Sequence, residues 1–559
     1  YPEQNMKIFT PFIIITIFFN QSILFAQQTV GLFLNTEEAY NGYTLFAPFP
    51  SQTTYLINNC GEMVHSWTSS TRSANSVYLL ENGNLLKTKK LTNSIFNAGG
   101  SGGGLEVLDW NGNVLWDYDI SSSTECHHHD VAPLPNGNFL AIVWDGRSKA
   151  EAIQAGRDSI GDMLWGEKII EIKPDYTNGG GEIVWEWNTW DHMVQDHDNS
   201  KDNFGNVSQS PELIDINYYP NGPNDPDWLH FNGFAYNEEL DQIILSCHAF
   251  SEIWIIDHST TTSQAAGHSG GNSGKGGDLL FRWGNPQAYR KGSATDQKLF
   301  RQHNPYWIQK GYTDEGMIMV FNNQAGTGNP QNYSTVNIIN PSIKNNGDYD
   351  YDGNFYLPQT FHWTYQAPVP ADFFASFVSG AQRLPNGNTL ICNGPIGKVF
   401  EIDSAETIVW EYVNPVDGTG IVPQDSAPSG NLLFRATRYT PDYPGLAGKD
   451  LTPQGYIEPG STFSCEIFST STDKILSDIE MVVYPNPTSD QISIDLTEVI
   501  RIDGIEVFDF SGRLVWEKKE KSTNFTQNLQ INLSSYQNGM YLIRLTSNGK
   551  SLVKQVLKQ

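Results

Sequence analysis

The chain has 559 residues, a formal net charge of −28 and only 17% charged residues. So acidic a protein is excluded from binding nucleic acid through the phosphate backbone, because that binding depends on lysine and arginine. The 50 glycines, 29 prolines and 12% aromatic residues favour a turn-rich β protein over a helical bundle.

The N-terminus has the order of features expected of a secretory signal. Met6 and a lysine precede an apolar run at residues 8–19, and a second apolar patch at 23–26 ends in a small residue. Residues 1–27 are therefore predicted to be a signal peptide, with translation starting at Met6. A membrane anchor is the alternative, but the run is short and is interrupted by Thr16.

A hairpin phrase recurs along the middle of the chain. Asn-Gly stands between apolar residues at Asn82, Asn136 and Asn386. This pair is the strongest short hairpin signal, because a type I′ turn needs positive φ at both central residues. After each copy come two alternating strands that end in an aromatic residue, as at 105–118 and 400–412. A unit therefore contains about four strands, which is the pattern of a propeller blade.

About six such units can be counted, which predicts an all-β fold whose main domain, residues 28–468, is a six-bladed β-propeller. The units begin near Val77, His128, His230, His303, Gly380 and Ser429. The last unit is short of strands, so N-terminal segments are predicted to complete it and close the ring: 29–33, 43–46, 54–57 and 62–67. A β-solenoid is the alternative, although its repeats would be shorter and more regular.

Histidine is scarce, yet four segments that contain it lie at similar places in these units: 126–130, 227–232, 246–248 and 301–304. In a blade, the strand nearest the axis starts at one face of the ring. His128, His230 and His303 each precede such a strand, so they are predicted to point into the same mouth of the central channel. His248 lies on the next strand of the same unit as His230, also near an end.

These phrases carry a resemblance to a known family. Residues 227–232 (Asp-Trp-Leu-His-Phe-Asn), 302–304 (Gln-His-Asn) and 380–388 (Gly-Ala-Gln-Arg-Leu-Pro-Asn-Gly-Asn) resemble, in order and spacing, the arylsulfotransferases that need no nucleotide sulfate donor. The resemblance covers residues 30–460 approximately. It implies an enzyme that moves a sulfuryl group from an aryl sulfate to a phenol by ping-pong kinetics, with no cofactor.

The resemblance also implies roles for individual residues. His303 matches the nucleophile that becomes a covalent sulfohistidine. His230 and Asn232 match ligands of the sulfate oxygens, and one of the three histidines at 127–129 matches another. The family's arginine on the next strand aligns with His248.

The exchange of that arginine for His248 matters chemically. Arginine is a permanent bidentate cation, whereas histidine is cationic only below about its pKa of ~6.5. The site therefore has either a weaker sulfate clamp or a substrate other than a simple aryl sulfate. A neutral imidazole is still a competent nucleophile toward a sulfuryl centre, and donors around it stabilise the oxygens. Strand alternation sends one of the adjacent histidines off the site, and His128 or His129 is favoured on it.

Two other classes of function stay open at the level of sequence. One is a non-catalytic propeller that binds a ligand or partner at the cell surface, which the exchange at His248 favours. The other is a metalloenzyme that holds zinc or copper with the same histidines, although these phrases lack a carboxylate at ligand spacing.

Three further signals lie outside the histidine segments. Asp348, Asp350 and Asp352 form the start of a calcium loop, but the twelfth position is Gln359, so a solvated acidic turn is favoured over calcium. The insertion at 191–198 is histidine-rich and reads as a surface loop, with a lid or an oligomer contact as the alternative. Five cysteines leave at least one thiol unpaired within the chain, and the sequence does not reveal the pairing.

The last part of the chain, residues 481–559, is predicted to be a separate domain after a linker at 469–480. It contains Tyr-Pro-Asn-Pro at 484–487, Ser-Gly-Arg at 511–513, Asn-Gly-Met-Tyr at 538–541 and a basic tail. These features resemble the C-terminal sorting domain of Bacteroidetes proteins exported by the type IX secretion system. Short alternating strands predict a small β-sandwich. The resemblance implies that the secretion machinery is a partner and that the protein is secreted or held at the cell surface.

Overall fold

The computed structural model describes residues 28–326, 332–461, 463, 465–468, 481–496, 500–510, 512–525, 529–547 and 550–559. The predicted signal peptide at 1–27 and the predicted linker at 469–480 lie outside these described residues. Within the described ranges, no helix is both long enough and apolar enough to cross a membrane.

Six antiparallel sheets form a closed ring, and we number them as blades around it. Their first strands contact one another in turn and line the central channel. From the channel outward, blade one consists of Leu433–Tyr439, Tyr43–Pro48, Thr53–Ile57 and Met63–Thr68, and blade two of Ser73–Leu79, Leu85–Lys90, Gly103–Leu108 and Val114–Asp119.

The other four blades have the same arrangement, and they confirm the predicted six-bladed propeller. Blade three consists of Glu125–Pro133, Phe139–Ser148, Met163–Pro174 and Gly181–Asn188. Blade four consists of Phe231–Asn237, Gln242–Cys247, Glu252–Asp257 and Phe281–Trp283. Blade five consists of His303–Trp307, Ile318–Asn322, Thr335–Ile339 and Trp363–Tyr365. Blade six consists of Gly380–Arg383, Thr389–Asn393, Lys398–Ile402 and Ile408–Val413.

Ring closure involves both ends of the propeller. Three of the four predicted N-terminal segments join the inner strand Leu433–Tyr439 to make blade one. The first segment does not, because Gly31–Asn35 pairs with Ile408–Val413 as a fifth strand on the edge of blade six. A disulfide between Cys60 and Cys465 also joins the two ends, and the other three cysteines are buried free thiols.

The recurring Asn-Gly hairpins use a different turn from the predicted type I′. Gly137 has φ 86° and donates its N–H to the Leu134 carbonyl, whereas Asn136 does not have positive φ. Gly83 and Gly387 have the same geometry. These loops are therefore type I turns followed by a glycine in the left-handed region, a three-residue hairpin loop rather than type I′. A proline at the second turn position, as in Leu-Pro-Asn-Gly, fits type I.

The core lies between neighbouring blades, where each strand presents alternate side chains to the next sheet. Tryptophans supply much of this packing, and six of them are fully buried: Trp67, Trp144, Trp187, Trp228, Trp254 and Trp410. One polar link joins blades three and four in the same layer. His258 lies 2.8 Å from the Asp241 carboxylate through Nδ1 and 3.1 Å from the Glu171 carboxylate through Nε2.

This link makes the stability of the propeller depend on pH. Burial alone would lower the pKa of His258, but the two carboxylates outweigh it and raise the pKa to about 9. The stabilisation is full below the unfolded-state pKa near 6.5 and is lost as pH rises through about 9. We expect His258→Gln to lower the free energy of unfolding by roughly 2–3 kcal/mol below pH 6.5 and by little above pH 10. Thermal melts of both proteins at the two pH values test this, and an equal difference at both would contradict it.

Short elements lie in the loops from blade three onward to the segment after the inner strand of blade one. Among the described residues, the α-helices are Lys149–Gln154 and Thr262–Ala265. The short 3-10 helices are Thr189–His192, Val207–Gln209, Pro286–Tyr289, Ala294–Asp296, Pro370–Asp372, Gly394–Ile396 and Pro444–Leu446. Two-residue strands form the parallel pair Met193–Val194 with Ile214–Asp215 and the antiparallel pair Val416–Asp417 with Gly420–Ile421.

The C-terminal domain is a small β-sandwich, as predicted. One sheet contains Met481–Tyr484, Gln491–Leu496 and Leu529–Asn532. The other contains Ile500–Asp509, Leu514–Phe525, Gly539–Ser547 and Lys550–Lys558. Buried residues of both sheets, such as Ile494 and Val507, pack in one core.

Candidate active site

Four histidines from three blades meet at one mouth of the channel. His129 lies on the inner strand of blade three, His230 directly before that of blade four, His248 at the end of the second strand of blade four, and His303 at the start of blade five. Ring centroids are 4.7 Å apart for His129 and His230, 4.9 Å for His230 and His248, and 5.4 Å for His248 and His303. We call these four residues the histidine cluster.

The backbone around the cluster is bent so that these side chains converge. His129, His230 and Asn304 have φ of 54°, 52° and 51°, in the left-handed region that non-glycine residues avoid. β-Bulges interrupt the inner strands of blades three, four and five near the same level. A left-handed non-glycine residue costs roughly 1–2 kcal/mol, and bulges of this kind re-aim side chains. Three of these strained residues, His129, His230 and Asn304, therefore lie in or next to the cluster.

His303 is buried and held in one tautomer. Its Nδ1 lies 2.8 Å from Oδ1 of Asn323, while Nδ2 of Asn323 donates to the carbonyls of Ala375 and Val378, both at 2.9 Å. The two carbonyls fix the orientation of the amide, so the oxygen must face His303 and accept from Nδ1–H. Burial lowers the pKa of His303 to about 3, against the smaller opposite effect of its hydrogen bonds. His303 is therefore neutral, and its Nε2 keeps the lone pair.

The pKa of His230 is shifted in the opposite direction from that of His303. Its Nδ1 lies 2.5 Å from Oδ2 of Asp227, and Oδ1 of the same carboxylate accepts a hydrogen bond from the Trp144 indole at 3.1 Å. Burial would lower the pKa of His230, but Asp227 outweighs burial and raises the pKa above its ordinary value. His230 is therefore the member of the cluster that most readily carries a positive charge.

The three adjacent histidines do not simply alternate in direction, because the left-handed backbone at His129 and a bulge in this strand change where the side chains point. His127 points away, with Nε2 3.2 Å from the Asp130 carbonyl. His128 is stacked on the Trp144 ring at 3.9 Å and lies behind the cluster rather than in it. His129 faces the cluster, against Gly100, where a Cβ would come within 1.9 Å of the imidazole. Of the two histidines favoured by sequence, His129 borders the channel and His128 supports it.

His128 links His129 to a buried carboxyl group that sequence reasoning did not find. Oε2 of Glu167 lies 2.7 Å from Nε2 of His128, and Nδ1 of His128 lies 2.8 Å from Nδ1 of His129. Burial, followed by the charge of Asp227, raises the pKa of Glu167 well above its ordinary value, and burial lowers those of both histidines. We call these three residues the relay.

The neutral relay has one consistent direction of donation. A protonated Glu167 donates to Nε2 of His128, whose Nδ1–H donates to Nδ1 of His129. The remaining proton of His129 is then on Nε2, the ring atom that packs against Gly100. The other carboxyl oxygen of Glu167 accepts from the backbone N–H of Phe231 at 2.9 Å, which fixes the group.

His248 is neutral, because burial lowers its pKa well below the ordinary value and the positive charges of His230 and Arg301 lower it further. A permanent cation lies beside it nonetheless. The guanidinium of Arg301 acts on both His230 and His248 and donates to the Asn221 side chain at 2.6 Å. Arg301 stands two residues before His303, and its sequence context gives no sign of this role.

Asn232 links two blades. Its Nδ2 donates to the Gln302 carbonyl at 2.8 Å, which fixes the residue before His303. Its Oδ1 is buried and has no hydrogen-bond partner among the described residues. The amide therefore positions the neighbouring blade and keeps one acceptor unused. Trp228 and Phe231, which lie on either side of His230 in the sequence, are both core residues.

A cavity of about 530 Å³ opens next to the cluster, between blades one and two. Gly99 and Gly100 form its border with His230 and His129. Its other lining side chains include two cations, two amides and one aromatic ring: Arg72, Lys90, Asn75, Asn97 and Phe49. On a protein with net charge −28, a basic cavity at this position suits an anionic ligand with an apolar part.

The calcium candidates have other partners. Asp348 lies 2.9 Å from Lys275, and Lys344 lies within 4.0 Å of Asp348 and Asp350. Asp352 accepts two backbone N–H groups in a turn. These contacts favour the acidic turn that sequence reasoning preferred to calcium.

Comparison with known proteins identifies two regions. Residues 35–417 match the family model described as arylsulfotransferase (ASST). Residues 482–559 match the secretion system C-terminal sorting domain, which indicates export by type IX secretion to the cell surface or the extracellular space.

Individual relatives are distant. Ulvan lyase NLR42 of Nonlabens ulvanivorans is 24% identical over 356 residues, which are 62% of this chain and 56% of that protein. The chain thus spans little more than half the length of that curated relative. Among solved structures, a protein of unknown function from Bacteroides caccae is 14% identical with a TM-score of 0.39, covering 71% of this chain and 98% of that one. The periplasmic gluconolactonase PpgL of Pseudomonas aeruginosa is 9% identical with a TM-score of 0.33, covering 67% and 96%.

Proposed function

Because the chain belongs to the arylsulfotransferase family, we propose that the histidine cluster transfers a sulfuryl group from an aryl sulfate to a phenol, with His303 as covalent carrier. No nucleotide sulfate donor is needed. The observation that carries the proposal is the fixed tautomer of His303, whose Nδ1–H is held by Asn323. A buried neutral imidazole with its Nε2 lone pair at a channel mouth is the nucleophile that this reaction requires.

In the first half-reaction, Nε2 of His303 attacks the sulfur and the S–O bond to the aryl group breaks. The bond's electron pair goes to the aryl oxygen, which takes a proton from Nε2 of His129. The relay then shifts one proton along each hydrogen bond, so that Glu167 ends as a carboxylate and His129 is neutral again. The sulfuryl group is held on His303, whose Nδ1–H still donates to Asn323.

In the second half-reaction, a phenol enters and its oxygen attacks the sulfur. The N–S bond breaks, and its electron pair returns to Nε2 of His303. The phenol's proton goes to His129, and the relay returns one proton to Glu167. The cycle thus closes with the original protonation states, and it needs no reactant besides donor and acceptor.

The transferring group carries its charge on three oxygens, which need cations and donors around them. Cationic His230 and the guanidinium of Arg301 supply charge on the side where the family's arginine is replaced by His248. The arrangement supports a clamp built from the loops before the inner strands of blades four and five rather than a weaker clamp.

This clamp gives a testable result. Removing a charge-assisted hydrogen bond costs roughly 1.5–3 kcal/mol, so we expect Arg301→Gln to lower kcat/KM about ten- to hundredfold. Steady-state kinetics with nitrophenyl sulfate measure the change. The matched control is Arg290→Gln, whose guanidinium pairs with Asp196 and Asp215 away from the cluster. Equal loss in both variants would show a general effect on folding and contradict the assignment.

The proposal itself is tested by intact mass. The protein is mixed with nitrophenyl sulfate in the absence of an acceptor, and a gain equal to one sulfuryl group is expected, located by peptide mapping at His303. Addition of phenol should then remove the gain and yield phenyl sulfate. Turnover without any covalent gain, or a gain at another residue, would count against His303 as carrier.

A second candidate function is cleavage of an acidic polysaccharide by a lyase, the kind of activity named for the curated relative. The specific observation in its favour is the basic cavity of Arg72 and Lys90 beside His129. Neutral histidines and Arg301 would serve as base and charge clamp for an elimination. Incubation with ulvan distinguishes the two, because only a lyase produces an unsaturated, ultraviolet-absorbing end.

A further inference from the structure

A second group of metal-ligand side chains lies outside the channel, between blades three and four. His192 ends the 3-10 helix that follows blade three, whereas His268 and Asp278 lie in the loop before the last strand of blade four. Nδ1 of His192 is 2.9 Å and Nδ1 of His268 is 2.7 Å from the same carboxylate oxygen of Asp278. The three possible ligand atoms lie within 4.8 Å of one another.

The orientation of His192 favours a cation between its imidazole and the Asp278 carboxylate. Its Nε2 lies 2.8 Å from the Ala265 carbonyl, which can only accept, so Nε2 carries the proton. The lone pair of a neutral His192 is then on Nδ1 and faces the Asp278 carboxylate. Two hydrogen-bond acceptors, Nδ1 and the carboxylate oxygen, are thus in contact inside the protein. A backbone carbonyl that fixes the far nitrogen of an imidazole is the usual support of a metal-binding histidine.

The surroundings hold His192 rigidly in this position. Its ring is buried and stacks on the fully buried ring of Trp187, with 9° between the planes. Gly277 permits the close approach, since a Cβ there would lie 2.6 Å from Nε2 of His192 and 2.0 Å from the Ala265 carbonyl. The loop that carries His268 and Asp278 therefore packs closely against this imidazole.

We propose that His192, His268 and Asp278 bind a zinc ion that joins the end of blade three to the loop of blade four. Two imidazoles and a carboxylate are a common zinc ligand set, and a cation between them removes the clash of two acceptors. Ligands about 2 Å from zinc lie roughly 3.3 Å from one another, so only a small outward shift is needed. The side chain of His268 is 62% exposed and can make that shift, with water as the fourth ligand.

The test is metal analysis of the full-length protein after incubation with zinc and dialysis. One zinc per chain is expected, together with a higher melting temperature than that of the chelator-treated protein. His268→Ala should lose the zinc and the shift in melting temperature. Because His268 is exposed, this variant should fold, which circular dichroism checks. His197→Ala is the control, an exposed histidine of the same insertion outside the group.

Two results would overturn the proposal. Zinc content near zero in the unaltered protein would mean that a protonated imidazole, rather than a metal, balances Asp278. Zinc retained in His268→Ala but lost when His129 and His230 are both replaced would place the metal in the histidine cluster. The assay does not depend on sulfuryl transfer, so failure of the proposed function would leave this proposal standing.

Discussion

Replacement of His303 by asparagine is expected to lower kcat for sulfuryl transfer by about 10³-fold or more, with a much smaller change in KM. The reason is that the variant lacks the only atom assigned to bond the sulfur, while His230 and Arg301 remain to bind the sulfate. Steady-state release of nitrophenol measures kcat and KM, and intact mass should detect no covalent sulfuryl group.

The matched control for this variant is His362→Asn. His362 precedes the outer strand of the same blade, is half-exposed and pairs with Asp314 away from the mouth. It should keep kcat within twofold of the unaltered protein, roughly. Turnover by His303→Asn within about tenfold of that of the unaltered protein would show that His303 is not the nucleophile. A covalent sulfuryl group on that variant would show the same.

The fold was predictable because its signals are local and repeated. Asn-Gly hairpins and paired alternating strands recur often enough to count blades, even though the turn type was misassigned. What local signals cannot give is long-range pairing. Gly31–Asn35 could equally extend blade one or blade six, and only its pairing with Ile408–Val413 decides this.

The site was predictable only as far as its histidines. His303 and His230 stand in recognisable phrases, but the groups that set their charge do not. Asn323 has no motif around it, and its role depends on two carbonyls more than fifty residues away in the chain. Glu167 lies in an ordinary strand, and its link to His129 passes through His128. Left-handed φ at His129 and His230 is a tertiary constraint that no local propensity predicts.

The relay has its own expected result. Glu167→Gln should slow transfer from an aryl sulfate with a poorly acidic phenol by about 10²-fold, because general acid catalysis contributes that much when the leaving oxygen needs a proton. Transfer from nitrophenyl sulfate should be slowed far less, because nitrophenolate leaves without one. The rates for a series of substituted phenyl sulfates are plotted against the pKa of the phenol that leaves. The slope should be steeper for Glu167→Gln than for the unaltered protein.

The substitution is chosen so that geometry survives and proton exchange does not. The glutamine amide can donate to Nε2 of His128, and its oxygen can still accept from the Phe231 N–H, so both contacts of Glu167 persist. His129 keeps its tautomer and still donates from Nε2. The variant lacks the carboxyl group of Glu167, which releases a proton in the first half-reaction and regains one in the second.

The matched control is Glu171→Gln, on the same strand. Glu171 also contacts a histidine, His258, at 3.1 Å, but that pair lies in the interface of blades three and four, and not at the cluster. This variant should leave the slope unchanged and alter only stability. A structural defect would slow all substrates alike, whatever the pKa of the leaving phenol. If Glu167→Gln lowers the rates of all substrates equally, the carboxyl group therefore supports the fold and does not transfer a proton.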